Sequence, residues 1–120
     1  MSLLSTYKRL LFESIGYDVL IDSIENHWVI KFYYEGDKTQ KKGWRWGEIY
    51  ALGESTAGNK IIRVFQIKGE TDTVIPAWKL FRVDKITDIE QVRTFDRPRP
   101  QFNRGGDRSM TRVDNIAQFD

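Results

Sequence analysis

The sequence predicts a mainly β domain of the α+β class, with N-terminal helices packed on a small five-stranded antiparallel barrel and an extended C-terminal arm. Three observations carry this. Helical spacing of apolar residues stops near residue 26, and strand-like runs with turn punctuation continue to about residue 95. From residue 96, proline, glycine and arginine displace both patterns. The boundaries that follow are one domain over 1–95, with helices at 2–14 and 17–26 and the barrel at 27–95, and an arm over 96–120.

Leu3, Leu4, Tyr7, Leu10 and Leu11 recur at three- and four-residue spacing, which predicts an amphipathic helix over 2–14 that stops near Gly16. Tyr17, Leu20, Ile21 and Ile24 repeat the pattern and give a second helix to about Asn26. WVIKFYY then changes the period, EGDK turns the chain, and GWRWGEIYAL returns as the second strand of a hairpin. GESTAGN leads to a third strand, KIIRVFQIK, and GETDTVIP leads to a fourth, WKLFRVDKI, over residues 78–86. TDIEQVRTF supplies a fifth strand, because a barrel of this size needs closure to remove open edges. Gly43, Gly47 and Gly69 are expected at bends or turns. DRPRPQFNRGGDRS resists regular structure. Met110, Val113, Ile116 and Ala117 stand at helical spacing behind Ser109, which predicts a short closing helix in the arm.

The chain has 120 residues, about one domain's worth and enough to bury a core. No apolar run approaches the ~20 residues of a membrane span, and charges interrupt the first twelve residues where a signal peptide would be apolar, so a cytoplasmic protein is expected. With no cysteine, there is neither a disulfide framework nor a thiolate nucleophile or metal ligand. The single histidine, His27, lies at a helix-to-strand junction that suits packing or capping, and no nucleophile motif accompanies it. Asp18, Asp22 and Glu25 read as a solvated helix side rather than a cation cage. These absences argue against an enzyme, a metal or a cofactor.

Net charge is +2, but residues 37–68 hold seven Lys/Arg against three Asp/Glu. Trp44, Arg45 and Trp46 interleave in the second strand, Arg63 and Phe65 in the third, and Trp78, Lys79, Phe81, Arg82 and Lys85 in the fourth. Flat rings can stack bases while cations take phosphates, which is how small barrels bind single strands. Arg45, Arg63, Lys79, Arg82 and Lys85, with Trp44 and Trp46, are therefore the candidate contacts for single-stranded RNA or DNA, or for a negatively charged small ligand. A core reading competes for the tryptophans: simple alternation puts Trp44, Trp46, Tyr50 and Leu52 on one face and leaves Arg45 outside. A second function class also stands, an assembly protein that forms a homo-oligomer through its arginine-rich arm, with Phe102, Met110 and Val113 as contacts.

The stretches VIKFYY, an arginine before EIYAL, KIIRVF and KLFRVDKI resemble the WYL domain over residues 17 to about 90. The family's last strand reads arginine, any residue, phenylalanine, two residues, aspartate, a basic residue and isoleucine. Phe81, Asp84, Lys85 and Ile86 fall on that motif, Lys79 stands at its first arginine, and Arg45 stands at the arginine before the second strand's proline-containing stretch. The naming Trp-Tyr-Leu tripeptide is replaced near Lys60, Ile61 and Ile62, and the second-strand proline is replaced as well, so the chain reads as a divergent, free-standing copy. The resemblance implies an SH3-like or Sm-like five-stranded barrel with a basic pocket for nucleic acid or a nucleotide-like ligand, acting in transcription regulation. It also implies that Phe81 and Ile86 pin the last strand while Lys79 and Lys85, or Arg82 opposite, line a groove.

Overall fold

The computed structural model describes residues 16–120, so the helix expected over 2–14 lies outside the described residues. Residues 16–25 form helix α1. Leu20 and Ile24, one turn apart, are fully buried, and Tyr17 and Ile21 pack against the same core. The Asn26 side chain donates to the Asp22 carboxylate, and His27 takes a left-handed backbone (φ 56°) that turns the chain into the sheet.

Six strands follow: β1 Trp28–Tyr34, β2 Gly43–Glu54, β3 Lys60–Gly69, β4 Ala77–Arg82, β5 Ile86–Thr94 and β6 Arg112–Ile116. They form one antiparallel sheet in the order β4-β3-β2-β1-β5, with β6 added to the far end of β2. Ile30, Phe32 and Tyr34 of β1, Ile62 and Val64 of β3 and Phe81 of β4 are all fully buried and share the core with α1. The sheet curls around this core, so that the Phe81 ring meets Phe32 and Tyr34 of β1 edge-on at 4.9 Å each. It does not close. β4 and β5 remain the two ends of the hydrogen-bonded path, and the closed five-stranded barrel expected from the sequence is an open, curled, six-stranded sheet.

Two local expectations are corrected. The stretch 78–86 is not one strand: a 3₁₀ turn, Val83–Lys85, interrupts it, and the chain resumes at Ile86 as β5. The corner lets Phe81, Val83 and Ile86 all point into the core, which no straight strand permits at that spacing. The closing helix is instead strand β6. A register shift between Leu52 and Gly53 makes room for an extra β6 residue, which brings Val113 and Ile116, three apart, to one apolar cluster with Ala51, Ile61 and Met110. Helix-like spacing is thereby produced by a bulged strand. A Cβ on Gly53 would lie 2.3 Å from the Arg112 carbonyl oxygen, so glycine is what lets β6 approach.

Candidate functional site

Simple alternation along β2 fails at Tyr50. The β2–β3 register slips between Ile49 and Ala51, so Leu52 and Trp46 belong to opposite faces despite their even spacing. Parity downstream of the slip cannot be extended upstream, and the expected faces are inverted. Arg45 stands opposite Phe32 on the inner face and is 1% exposed, while Trp44 and Trp46 stand opposite Tyr33 and Lys31 on the outer face.

The buried Arg45 guanidinium donates from Nη2 to the Lys41 carbonyl at 2.7 Å and from Nη1 to the Gly43 carbonyl at 3.2 Å. Its carbon lies 5.7 Å from the Tyr34 ring and 5.5 Å from the Phe81 ring. Its Nε has no partner. Lys79, directly opposite Val64 on the same inner face, reaches the same place, and its Nζ donates to the hydroxyls of Thr71 at 2.6 Å and Thr73 at 2.5 Å. Burial, and then repulsion from Arg45, pushes the Lys79 ammonium below its ordinary value; burial likewise lowers Arg45.

Thr39, Gln40, Lys41, Arg45, Thr71, Asp72, Thr73 and Lys79 line a small half-open cavity of about 20 Å³ at this end of the sheet. That is room for one oxygen-sized group. Among the described residues, three buried side-chain polar atoms lack a partner, and two of them, Arg45 Nε and Gln40 Oε1, belong to this cavity. The nearby acids bond other donors, but Asp72 lines the cavity and its charge favours the protonated forms of both Arg45 and Lys79 from beyond ion-pair distance. Lys41 pairs with Asp72 at 3.2 Å and Glu70 at 3.5 Å. Asp37 accepts the Tyr34 hydroxyl at 2.5 Å and the backbone N–H groups of Thr39 and Gln40; burial alone would raise its carboxyl, and these bonds together hold it below the usual range. No carboxylate lies within ion-pair distance of Arg45 or Lys79 among the described residues.

On the outer face, cations and rings alternate. The register aligns Lys68 of β3, Trp46 of β2, Lys31 of β1 and Glu90 of β5 in one row, with Trp44, Tyr33 and Asp88 in the next. Lys31 Nζ lies 4.6 Å from the Trp44 ring and 5.2 Å from Trp46, and Lys68 Nζ lies 4.6 Å from Trp46. Trp44 is 38% exposed, one of three exposed large apolar side chains among the described residues.

Arg63, Arg82 and Lys85 do not line the cavity, although Arg82 lies near it, its backbone N–H donating to the Tyr34 hydroxyl. Arg63 lies on the opposite face of β3 and is held by both Asp107 oxygens (2.7 and 3.0 Å) and the Ser109 hydroxyl. Burial alone would raise Asp107, but Arg63, the Ser109 N–H and the charge of Arg108 together hold it down. Arg82 is paired with Asp84 at 2.7 Å, and Lys85 sits in the 3₁₀ turn, where its carbonyl accepts from Glu35. The expectation of one basic groove from Arg45, Arg63, Lys79, Arg82 and Lys85 is therefore corrected: the buried Arg45 and the half-buried Lys79 share one cavity, and the other three cations do not line it. Phe81 and Ile86 do pin their segment into the core.

The arm packs against the outer face at Glu48, Tyr50, Arg63 and Trp78. Arg99 binds the buried Glu48 carboxylate at 3.0 Å, Glu48 also accepts the Tyr50 hydroxyl at 2.7 Å, and Phe102 and Phe119 join Tyr50, Trp78 and Phe95 in an aromatic cluster. His27 stacks on Phe119 at 4.2 Å and hydrogen-bonds the Gln118 carbonyl, a packing role. Between arm and sheet lies an open cleft of about 470 Å³ lined by Arg63, Trp78, Phe102 and Asp107 among others.

Sequence reasoning missed Lys31, Tyr33, Lys68, Gln40, Thr71 and Thr73. Lys31 and Tyr33 were readable as the wet face of WVIKFYY, but their pairing with the tryptophans depends on register. Among the described residues no helix is long and apolar enough to cross a membrane, and no group of three or more His, Asp or Glu could hold a metal ion. No protein-family model, curated protein or solved structure matches the chain.

Proposed function

We propose that the chain is a non-enzymatic, WYL-like binding module that recognises a phosphate oxygen of single-stranded nucleic acid, or of a nucleotide-like ligand, with Arg45 and Lys79. The observation that carries this is a fully buried Arg45 beside a half-buried Lys79, neither within ion-pair distance of a carboxylate among the described residues, at a cavity sized for one oxygen. Placing a guanidinium in the interior costs several kcal/mol unless hydrogen bonds or counter-charge offset it, on the order of the whole stability of a small domain. An anion that enters from the half-open side adds a counter-charge in direct contact, accepts from Arg45 Nε, and leaves the Thr71 and Thr73 hydroxyls to orient Lys79, at the cost of repulsion from Asp72 on the cavity wall.

The fold reading rests on the same elements. A strand path of β5-β1-β2-β3-β4, with a 3₁₀ corner joining β4 to β5, supports reading the sheet as an SH3-like or Sm-like barrel left open between its end strands. Arg45 and Lys79 stand at the two basic positions that the WYL resemblance singles out, and a role in transcription regulation follows from that resemblance.

The test is the affinity of a labelled single-stranded oligonucleotide for the intact chain, with inorganic pyrophosphate as competitor. Lys79→Met and Arg45→Met each weaken binding about tenfold or more, the scale of a hydrogen bond to a charged group. Each also lowers the slope of log affinity against log salt by about 0.7. Affinity and slope unchanged in both variants would overturn the reading.

A further inference from the structure

The outer face of the β1–β2–β3 sheet has its own chemistry, independent of the cavity behind it. We propose that Trp44, Trp46 and Tyr33, with Lys31 and Lys68 between them, form a platform on which successive bases of a single nucleic-acid strand stack. This deepens the proposed function by naming the ligand as a strand rather than a free nucleotide, and it rests on that reading only for the ligand class.

Two tryptophans and a tyrosine stand on the outer face beside the region that the arm contacts at Glu48, Arg63 and Trp78, with Trp44 38% exposed and Trp46 and Tyr33 half-buried. A ring row of this kind offers π-faces to any base, so it binds strands without reading sequence. The lysines lie over the rings at 4.6 to 5.2 Å, and an exposed cation–π contact of this kind is weak enough to exchange for a phosphate when a base takes the ring face. Charge fixes the path. Asp88 and Glu90 border the platform on β5, so a polyanion is repelled there and runs from Lys31 toward Lys68 across β2 and β3. Paired bases in a duplex cannot offer their faces to the rings, so the platform selects single strands.

The decisive experiment titrates the intact chain with three probes: a single-stranded oligonucleotide, the same length of abasic sugar-phosphate strand, and the corresponding duplex. Trp44→Ala with Trp46→Ala should weaken binding of the base-bearing strand about tenfold or more, leave the abasic strand within about twofold, and leave the weaker duplex binding unchanged. Trp44→Phe with Trp46→Phe restores most of the loss, which separates stacking from fold damage. DNA and RNA versions of the strand distinguish a preference for the 2′-hydroxyl. Equal losses for base-bearing and abasic strands, or no loss at all, would overturn the platform. Lys79→Met separates the two readings. If it weakens all single-stranded probes alike, the cavity contacts phosphate; if it changes nothing while the tryptophan variants lose the base-bearing strand, the cavity reading fails and the platform stands.

Discussion

Arg45 is the residue on which structure and function diverge. Its environment is that of a core side chain, with two ring faces and two carbonyl oxygens, yet among the described residues its Nε has no partner and no carboxylate comes within ion-pair distance, Glu70, Asp37 and Asp72 acting on it only from farther away. Replacing a buried charge by an apolar side chain of similar volume is often neutral or stabilising. Arg45→Met is therefore expected to change unfolding free energy by less than about 1.5 kcal/mol, measured by denaturant titration, while binding falls. A loss of several kcal/mol would make Arg45 a structural residue. Lys79 carries the pH dependence. Its native value lies below the ordinary 10.5, so over the interval between them the unfolded chain binds more protons and stability rises with pH. Ligand affinity runs the other way, falling as the ammonium is lost, and it should fall at lower pH than an exposed lysine would require. A binding profile flat to pH 10.5 contradicts this.

At the scale of elements, β2 and the arm decide which surfaces stay open. Gly47 lies at the register slip between Trp46 and Gly47, where a Cβ would meet Val64 Cγ1 at 2.2 Å and the Phe65 carbonyl oxygen at 2.9 Å. Gly47→Ala should destabilise the chain by about 1–3 kcal/mol, the usual cost of overpacking, and a thermal melt measures it. The arm is latched by ion pairs that titrate. Asp107 is held below its ordinary 3.8, so its contribution is full above that value and is lost as pH falls through the depressed native value. Loosening of the arm, read from Trp78 fluorescence because its indole N–H donates to Pro100, should thus occur below about pH 4. The starts of β1, β2 and β3 were legible because β-branched and aromatic runs are bounded there by turn residues. The corner at Val83 and the strand identity of β6 were not, because both depend on pairing partners distant in sequence. The same limit hid the site: Arg45 and Lys79 were singled out as candidates, but the face of Arg45 depends on the slips in β2 and that of Lys79 on its pairing with Val64 of β3.

The whole molecule is a curled sheet with two differently finished sides. One end of the inner side holds the cation pair, part of the outer side carries the ring and lysine platform, and the arm packs on its own chain through Phe102, Met110 and Phe119. Removing residues 97–120 should uncover Trp78, Phe65 and Tyr50 and lower the melting temperature; an unchanged melt would mean that the arm contributes nothing to the fold. Both proposed contacts use cations, and release of counterions from a strand makes such binding depend linearly on log salt. The most direct single measurement is an ionic-strength titration of the intact chain with a labelled single strand and its duplex. Affinity for the single strand is expected to exceed that for the duplex and to decline with a slope of about 0.7 for each phosphate contact. An affinity indifferent to salt, or equal for the two forms, would contradict it.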